Sequence, residues 1–181
     1  MFRTLNRFRL PRSRWFLALC VIAPALIATA SVAAAPAPAE KRTRQLQRLL
    51  DRVKQRLGLE AAVSVELVAK NPHLISVEAP ARGGAPFLVR VEQRMVELLT
   101  SDELEAALAH ELGHVWVFTH HPYLQTEQLA NDVAMRIVAR GTLVRVYDKV
   151  WKAGAAKGDL VSFLGPDPVV ASGGGTGKQQ Q

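Results

Sequence analysis

The chain has 181 residues, 49% of them hydrophobic, with a formal net charge of +7. That length suits one domain with an ordinary core. The charge is lopsided: Arg3, Arg7, Arg9, Arg12 and Arg14 precede the first long apolar run with no acid among them, and the other 18 basic residues face 16 acids, about +2. So even a balance makes no electrostatic case for nucleic-acid binding.

The basic stretch, the apolar run from Trp15 to Ala30 and the small residues Ser31-Val32-Ala33-Ala34-Ala35 form the three-part pattern of a secretory signal peptide over residues 1–33. Cleavage after Ala33 or Ala34 satisfies the small-residue rule. Cleavage after Ala35 would put Pro36 just past the scissile bond. The alternative is an uncleaved N-terminal anchor, for which the run is barely long enough and is interrupted by Pro24. Either way the basic flank stays inside and the rest of the chain faces outward, which predicts a secreted, periplasmic or envelope protein. The single cysteine, Cys20, lies within the apolar run, so no disulfide is expected. Leu19 before it argues against a lipoprotein.

Residues 34–39 read as an Ala/Pro linker, followed by a domain over 40–160. Leu46, Leu49, Leu50, Val53 and Leu57 form a helical stripe that ends at Gly58. Residues 62–70 alternate and are β-branched, as in a strand; Asn71-Pro72 marks a turn, and 73–78 and 87–91 (FLVRV) read as further strands. A short helix is expected over 92–99. Thr100 and Glu103 form a capping box that starts a helix over about 101–118. Pro122 marks a loop. Two more helices follow, over about 126–140 with Gly141 as stop, and over about 142–155. A flexible tail is expected over 161–181, Gly- and Gln-rich from Gly165 on. Its GGGTGK fails as a phosphate loop, because Ser172 stands at the first required glycine, Gln179 follows the lysine and no helix can follow.

The helix over 101–118 carries HELGH. Residues four apart share a helix face, so His110 and His114 can aim two imidazoles at one ion. Two nitrogens with a carboxylate suit tetrahedral zinc with one position left for water, and Glu111 beside the first ligand is placed to reach that water as general base. About 0.01 such matches are expected by chance at this composition, so the motif is specific. Ala106, Ala107, Leu108, Leu112, Val115 and Trp116 make the helix apolar nearly all round, and buried His and Glu side chains need partners. Gly113 keeps the helix face low for a strand or substrate to approach. Two residues compete as third ligand. Glu127 opens the next helix after a loop that can reverse the chain. His120 stands six residues after His114, but needs a sharp turn where Val117 sits, and Val adopts φ > 0 only at a cost.

TSDELEAALAHELGHVW, preceded by APFLVRVEQRMVELL and followed by EQLAND, resembles the gluzincin metallopeptidases of the HtpX and CAAX-prenyl-protease type. The resemblance covers about Pro72 to Arg140. It implies His110 and His114 as zinc ligands, Glu111 as base, and Glu127 as third ligand. The family's aspartate falls on Asn131, with Asp132 one residue late, so either can hold a ligand histidine. The membrane spans of HtpX-type proteins have no counterpart here, and the spacing from His114 to Glu127 is short.

These readings predict an α+β fold, a helix-rich zincin-like metallopeptidase domain with a small β-sheet, along whose FLVRV strand an extended substrate would add. They predict a zinc endopeptidase with one Zn2+ per chain acting on peptide or protein substrates, and membrane contact only if the N-terminal segment stays uncleaved. His121, Tyr123 and Arg136 are candidates for stabilising the oxyanion. The competing class is a zinc-binding envelope protein without hydrolytic activity. Glu111 argues against it, because a purely structural site needs no base.

Overall fold

The computed structural model describes residues 38–166. The expected signal peptide, Cys20 and GGGTGK lie outside the described residues. The order of elements is α1 (Pro38–Arg56), β1 (Val63–Val68), β2 (Ile75–Glu78), β3 (Phe87–Glu92), α2 (Gln93–Leu98), α3 (Ser101–His120), α4 (Glu127–Ala134), α5 (Arg140–Lys152) and α6 (Leu160–Leu164). The fold is the expected helix-rich α+β arrangement with one small sheet.

The apolar stripe of α1 is buried at Leu46, Leu50 and Val53, and Gly58 stops the helix with φ +65°. The helix begins at Pro38, two residues inside the expected linker; proline suits a first helical turn because its missing N–H has no partner there anyway.

The sheet has the order β1-β3-β2, with β1 parallel and β2 antiparallel to β3. Val89 of β3 faces Val65 on one side and Val77 on the other. Substrate therefore cannot add along FLVRV, because both edges of that strand are taken. The outer edge of β2 is the one beside the site. Chain order alone does not reveal this, since β1 joins β3 by skipping over β2.

α3 starts with the expected capping box. Thr100 Oγ1 accepts from the Glu103 N–H, and the Thr100 N–H donates to Glu103 Oε2 at 2.8 Å. The helix runs on through His120, two residues beyond its expected end, and is buried on nearly every side against α1, α4, α5 and β2. The sequence suggested one helix over 126–140. Instead α4 ends at Ala134, a turn follows, and α5 begins at Arg140. Gly141 is thus inside the first turn of α5 and is no stop; Gly154, with φ +109°, is where α5 ends. Past the expected domain end, α6 is capped by Asp159 and buries Leu164, so the packed chain continues into the segment expected to be a tail.

Glu103 joins α3 to α5. Its side chain is 4% exposed and receives Lys149 Nζ at 2.6 Å. That hydrogen bond, with the Thr100 amide, holds its pKa below the ordinary value against the opposing effect of burial. A depressed carboxylate contributes stability that is full above its unfolded pKa and is lost as pH falls through the folded one. Glu103→Ala should lower stability by about 2 kcal/mol near neutrality. The difference from wild type should shrink in acid below pH 4.5, the ordinary value, as denaturant unfolding across pH would show.

Candidate metal centre

One turn of α3 separates His110 from His114, and their Nε2 atoms lie 3.2 Å apart. Glu127 opens α4, whose start is fixed by Thr126 Oγ1 accepting from the Leu129 N–H. Its carboxylate lies 3.2 Å from His110 Nε2 and 3.6 Å from His114 Nε2. Three donor atoms so close form a group able to hold a metal ion. Ligand bonds of ~2.0–2.1 Å in a tetrahedron put neighbouring donors roughly 3.3–3.4 Å apart; the two Nε2 atoms, and His110 Nε2 with Glu127 Oε2, stand near that separation, while His114 Nε2 faces the other carboxylate oxygen, Oε1.

Asn131 settles which nitrogen of His110 faces the group. Its Nδ2 donates to Tyr147 Oη at 2.8 Å and to the Phe163 carbonyl at 2.9 Å. With both amide hydrogens engaged by acceptors, Asn131 Oδ1 must be the atom 2.9 Å from His110 Nδ1. The Nδ1–H then donates, and the Nε2 lone pair is left for a metal. Asn131 is fully buried and Asp132 is exposed, so of the two residues the motif offered, Asn131 holds the histidine.

The electrostatics favour positive charge among the three donors. Burial lowers the His110 pKa, but its hydrogen bond to Glu127 and the charges of Glu111 and Glu127 outweigh this and raise it. The two histidines in turn hold Glu127 far below the usual carboxylate range. Glu111 stands next to this group, 7% exposed. Burial raises its pKa, opposed by both histidines and by the Val77 amide, which donates to it from β2.

Gly113 permits a close approach, though of neither strand nor substrate. A Cβ at that position would run into the backbone carbonyl of Ala130 on α4.

The other candidates are elsewhere. His120 stacks on Trp116 with ring centroids 4.1 Å apart, and its Nδ1 lies 2.8 Å from the Trp116 carbonyl. Val117 is 1% exposed inside α3, so the sharp turn that a His120 ligand requires is absent. Arg136 covers the Trp116 ring at 4.6 Å, His121 lies 5.9 Å from the same ring, and Tyr123 is 97% exposed. None of these three lines the cavity of about 450 Å³ that contains the donors. Tyr147 does line it, with its ring 5.9 Å edge-on from His110. Its spacing from Leu143, Val146 and Val150 marks it only as part of an apolar helix face, so the sequence carried no signal for this role.

The sequence model of Peptidase family M48 matches residues 40–171. No curated protein matches the chain. Among solved structures, it is similar to the metallopeptidase zymogen of Pyrococcus abyssi abylysin, with 16% identity over 60% of this chain and 93% of that one and a TM-score of 0.45.

Proposed function

This chain belongs to peptidase family M48, a metallopeptidase family, and from that premise we propose that it is a zinc-dependent endopeptidase with Glu111 as general base. The observation that carries the reading is the convergence of His110, His114 and Glu127, each offering a ligand atom within 4.8 Å of the others, with Glu111 beside them on the cavity wall. His110, His114 and Glu127 would hold a zinc ion, which would supply Lewis acidity toward the attacking water and the scissile carbonyl.

The protein's own groups do the rest. Asn131 orients His110, and the α3 backbone fixes His114 one turn on. Glu111 takes the proton of the attacking water and delivers it to the leaving amine. Its buried position, with the Val77 amide as a second partner, keeps the carboxylate in one place between these two transfers. The cavity follows α3 from Ala107 to Phe118, with the donors midway. Room on both sides of the scissile bond supports endopeptidase action. The run from strand through short helix and capping box to HELGH supports a place near the HtpX and CAAX-prenyl-protease type.

Protein purified without chelators should hold about one zinc per chain and cleave peptides from a mixed library; removal of the ion should stop cleavage and its return restore it. Metal-loaded chain that cleaves nothing would favour a zinc-binding protein without hydrolytic activity. We also propose export by the N-terminal segment. The intact mass of the envelope form should then correspond to a start near Ala34 or Ala35, and a full-length chain in the cytosol would refute it.

A further inference from the structure

The positive charge of the domain is concentrated on one element. Helix α1 carries seven basic residues and two acids, +5, while the other described residues carry ten basic residues and thirteen acids, −3. The near-even total hides this asymmetry. Leu46, Leu50, Val53 and Leu57 turn inward to the core. At about 3.6 residues per turn, the line opposite them holds Lys41, Arg44, Arg48 and Arg52, all exposed. These four span about 16 Å of helix. Arg44 reaches Glu40 at 3.4 Å, whereas Lys41, Arg48 and Arg52 have no hydrogen-bond or ion-pair partner among the described residues. The nearest acid on this side, Asp51, accepts from Gln47 at 2.8 Å, and on the flanks Arg42 and Arg56 are tied to Glu97 and Glu105.

The fold does not call for these charges. Lys41 with Arg44, Arg44 with Arg48, and Arg48 with Arg52 stand three or four residues apart, where like charges repel and destabilise a helix. Lys41 and Arg42 also lie near the N-terminus of α1, where the helix dipole disfavours cations. Glutamine at the same positions would keep the outer face wet without that repulsion. A stripe kept against the helix's own stability points to a contact outside the chain. No residue of α1 lines the metal cavity, so a partner on this face leaves the cavity open.

We propose that the outer face of α1 docks the domain on a membrane surface containing anionic phospholipid. The stripe is a straight line of cations on one convex helix, which suits a planar charged surface. α1 has no aromatic side chain on which a nucleobase could stack. The net negative remainder of the domain is repelled by the same surface, so attraction through α1 selects one orientation. In the chain, Lys41 follows Ala30, the end of the apolar run, by eleven residues, so export through that run brings the stripe to the membrane. The sequence alone tied membrane contact to an uncleaved N-terminal segment; the stripe extends it to the cleaved form. Each Lys or Arg near such a surface strengthens binding about fivefold, so docking through one helix is reversible and salt-sensitive.

The core of the described residues runs from Leu46 to Leu164 and lies within the compact unit Ala35–Gln181, so the exported form without the apolar run is the species to test. It should co-sediment with phosphatidylcholine vesicles containing about one-third phosphatidylglycerol and stay in solution with phosphatidylcholine alone. Binding should fall steeply between about 0.05 and 0.5 M salt. Replacing Lys41, Arg48 and Arg52 together by Gln, which keeps helix propensity, should weaken it at least about thirtyfold. Lys70→Gln, Arg82→Gln and Lys157→Gln combined remove the same net charge from other exposed positions and should change it less than about threefold. Arg48→Lys with Arg52→Lys, which keeps the charge, should retain binding, and its retention separates loss of charge from damage to α1. None of these readouts uses hydrolysis, so they stand or fall apart from the peptidase reading. Equal losses in the two triple variants, equal binding to neutral vesicles, no binding to either kind, or binding to a DNA duplex as strong as to anionic vesicles at the same salt overturns the proposal.

Discussion

Glu111→Gln should keep about one zinc per chain and lower peptide hydrolysis at least about a hundredfold. Glutamine has the shape of glutamate and its carbonyl oxygen can still accept the Val77 amide, so the 7%-exposed site has no reason to rearrange. The donor atoms belong to His110, His114 and Glu127, and metal content should therefore hold. What disappears is a group able to take a proton from water at neutral pH. Turnover by the zinc-loaded variant within about tenfold of wild type would show that another residue is the base, since proton transfer by a positioned side chain contributes more than that.

The second large effect distinguishes the two third-ligand candidates. Glu127→Ala should weaken zinc binding by more than the roughly 10–100-fold that loss of an outer partner costs, because it removes a donor itself. His120→Ala should change binding less than about threefold, for its ring stacks on Trp116 and its Nδ1 is turned to the Trp116 carbonyl, away from the donor group. Dissociation constants measured at one pH against a competing chelator give the comparison, and a larger loss in the His120 variant would reverse the assignment.

The parts of the site that follow local rules were readable from the chain. Thr100 and Glu103 announce α3, HELGH places two imidazoles on one face, and a helix start at Thr126 aims Glu127 back toward them. The unreadable parts depend on tertiary contact. Nothing between Ala134 and Arg140 is a Pro or Gly, so the break between α4 and α5 has no local mark. Tyr147, Trp151 and Phe163 look like ordinary core aromatics until α5 and α6 fold over the cavity. The Val77 amide is backbone and has no letter in the sequence. His121, Tyr123 and Arg136 were singled out for their chemistry and their nearness along the chain, but the α3–α4 loop and the turn after α4 carry them away from the cavity.

Gly113 has a further consequence. The two helices it brings together are the two that bear donors, with Glu127 three residues ahead of the Ala130 carbonyl that a Cβ would strike. Metal bonds tolerate displacements of about 0.2 Å, less than any side chain at 113 would impose. The glycine thus works as a gauge block. Helix α3 alone offers two nitrogens, and the third donor comes within range only when α4 lies flush against that bare patch. Capture of the ion therefore reports that these helices have docked, and a nascent or partly unfolded chain, even with α3 fully formed, has no complete site in which to retain it.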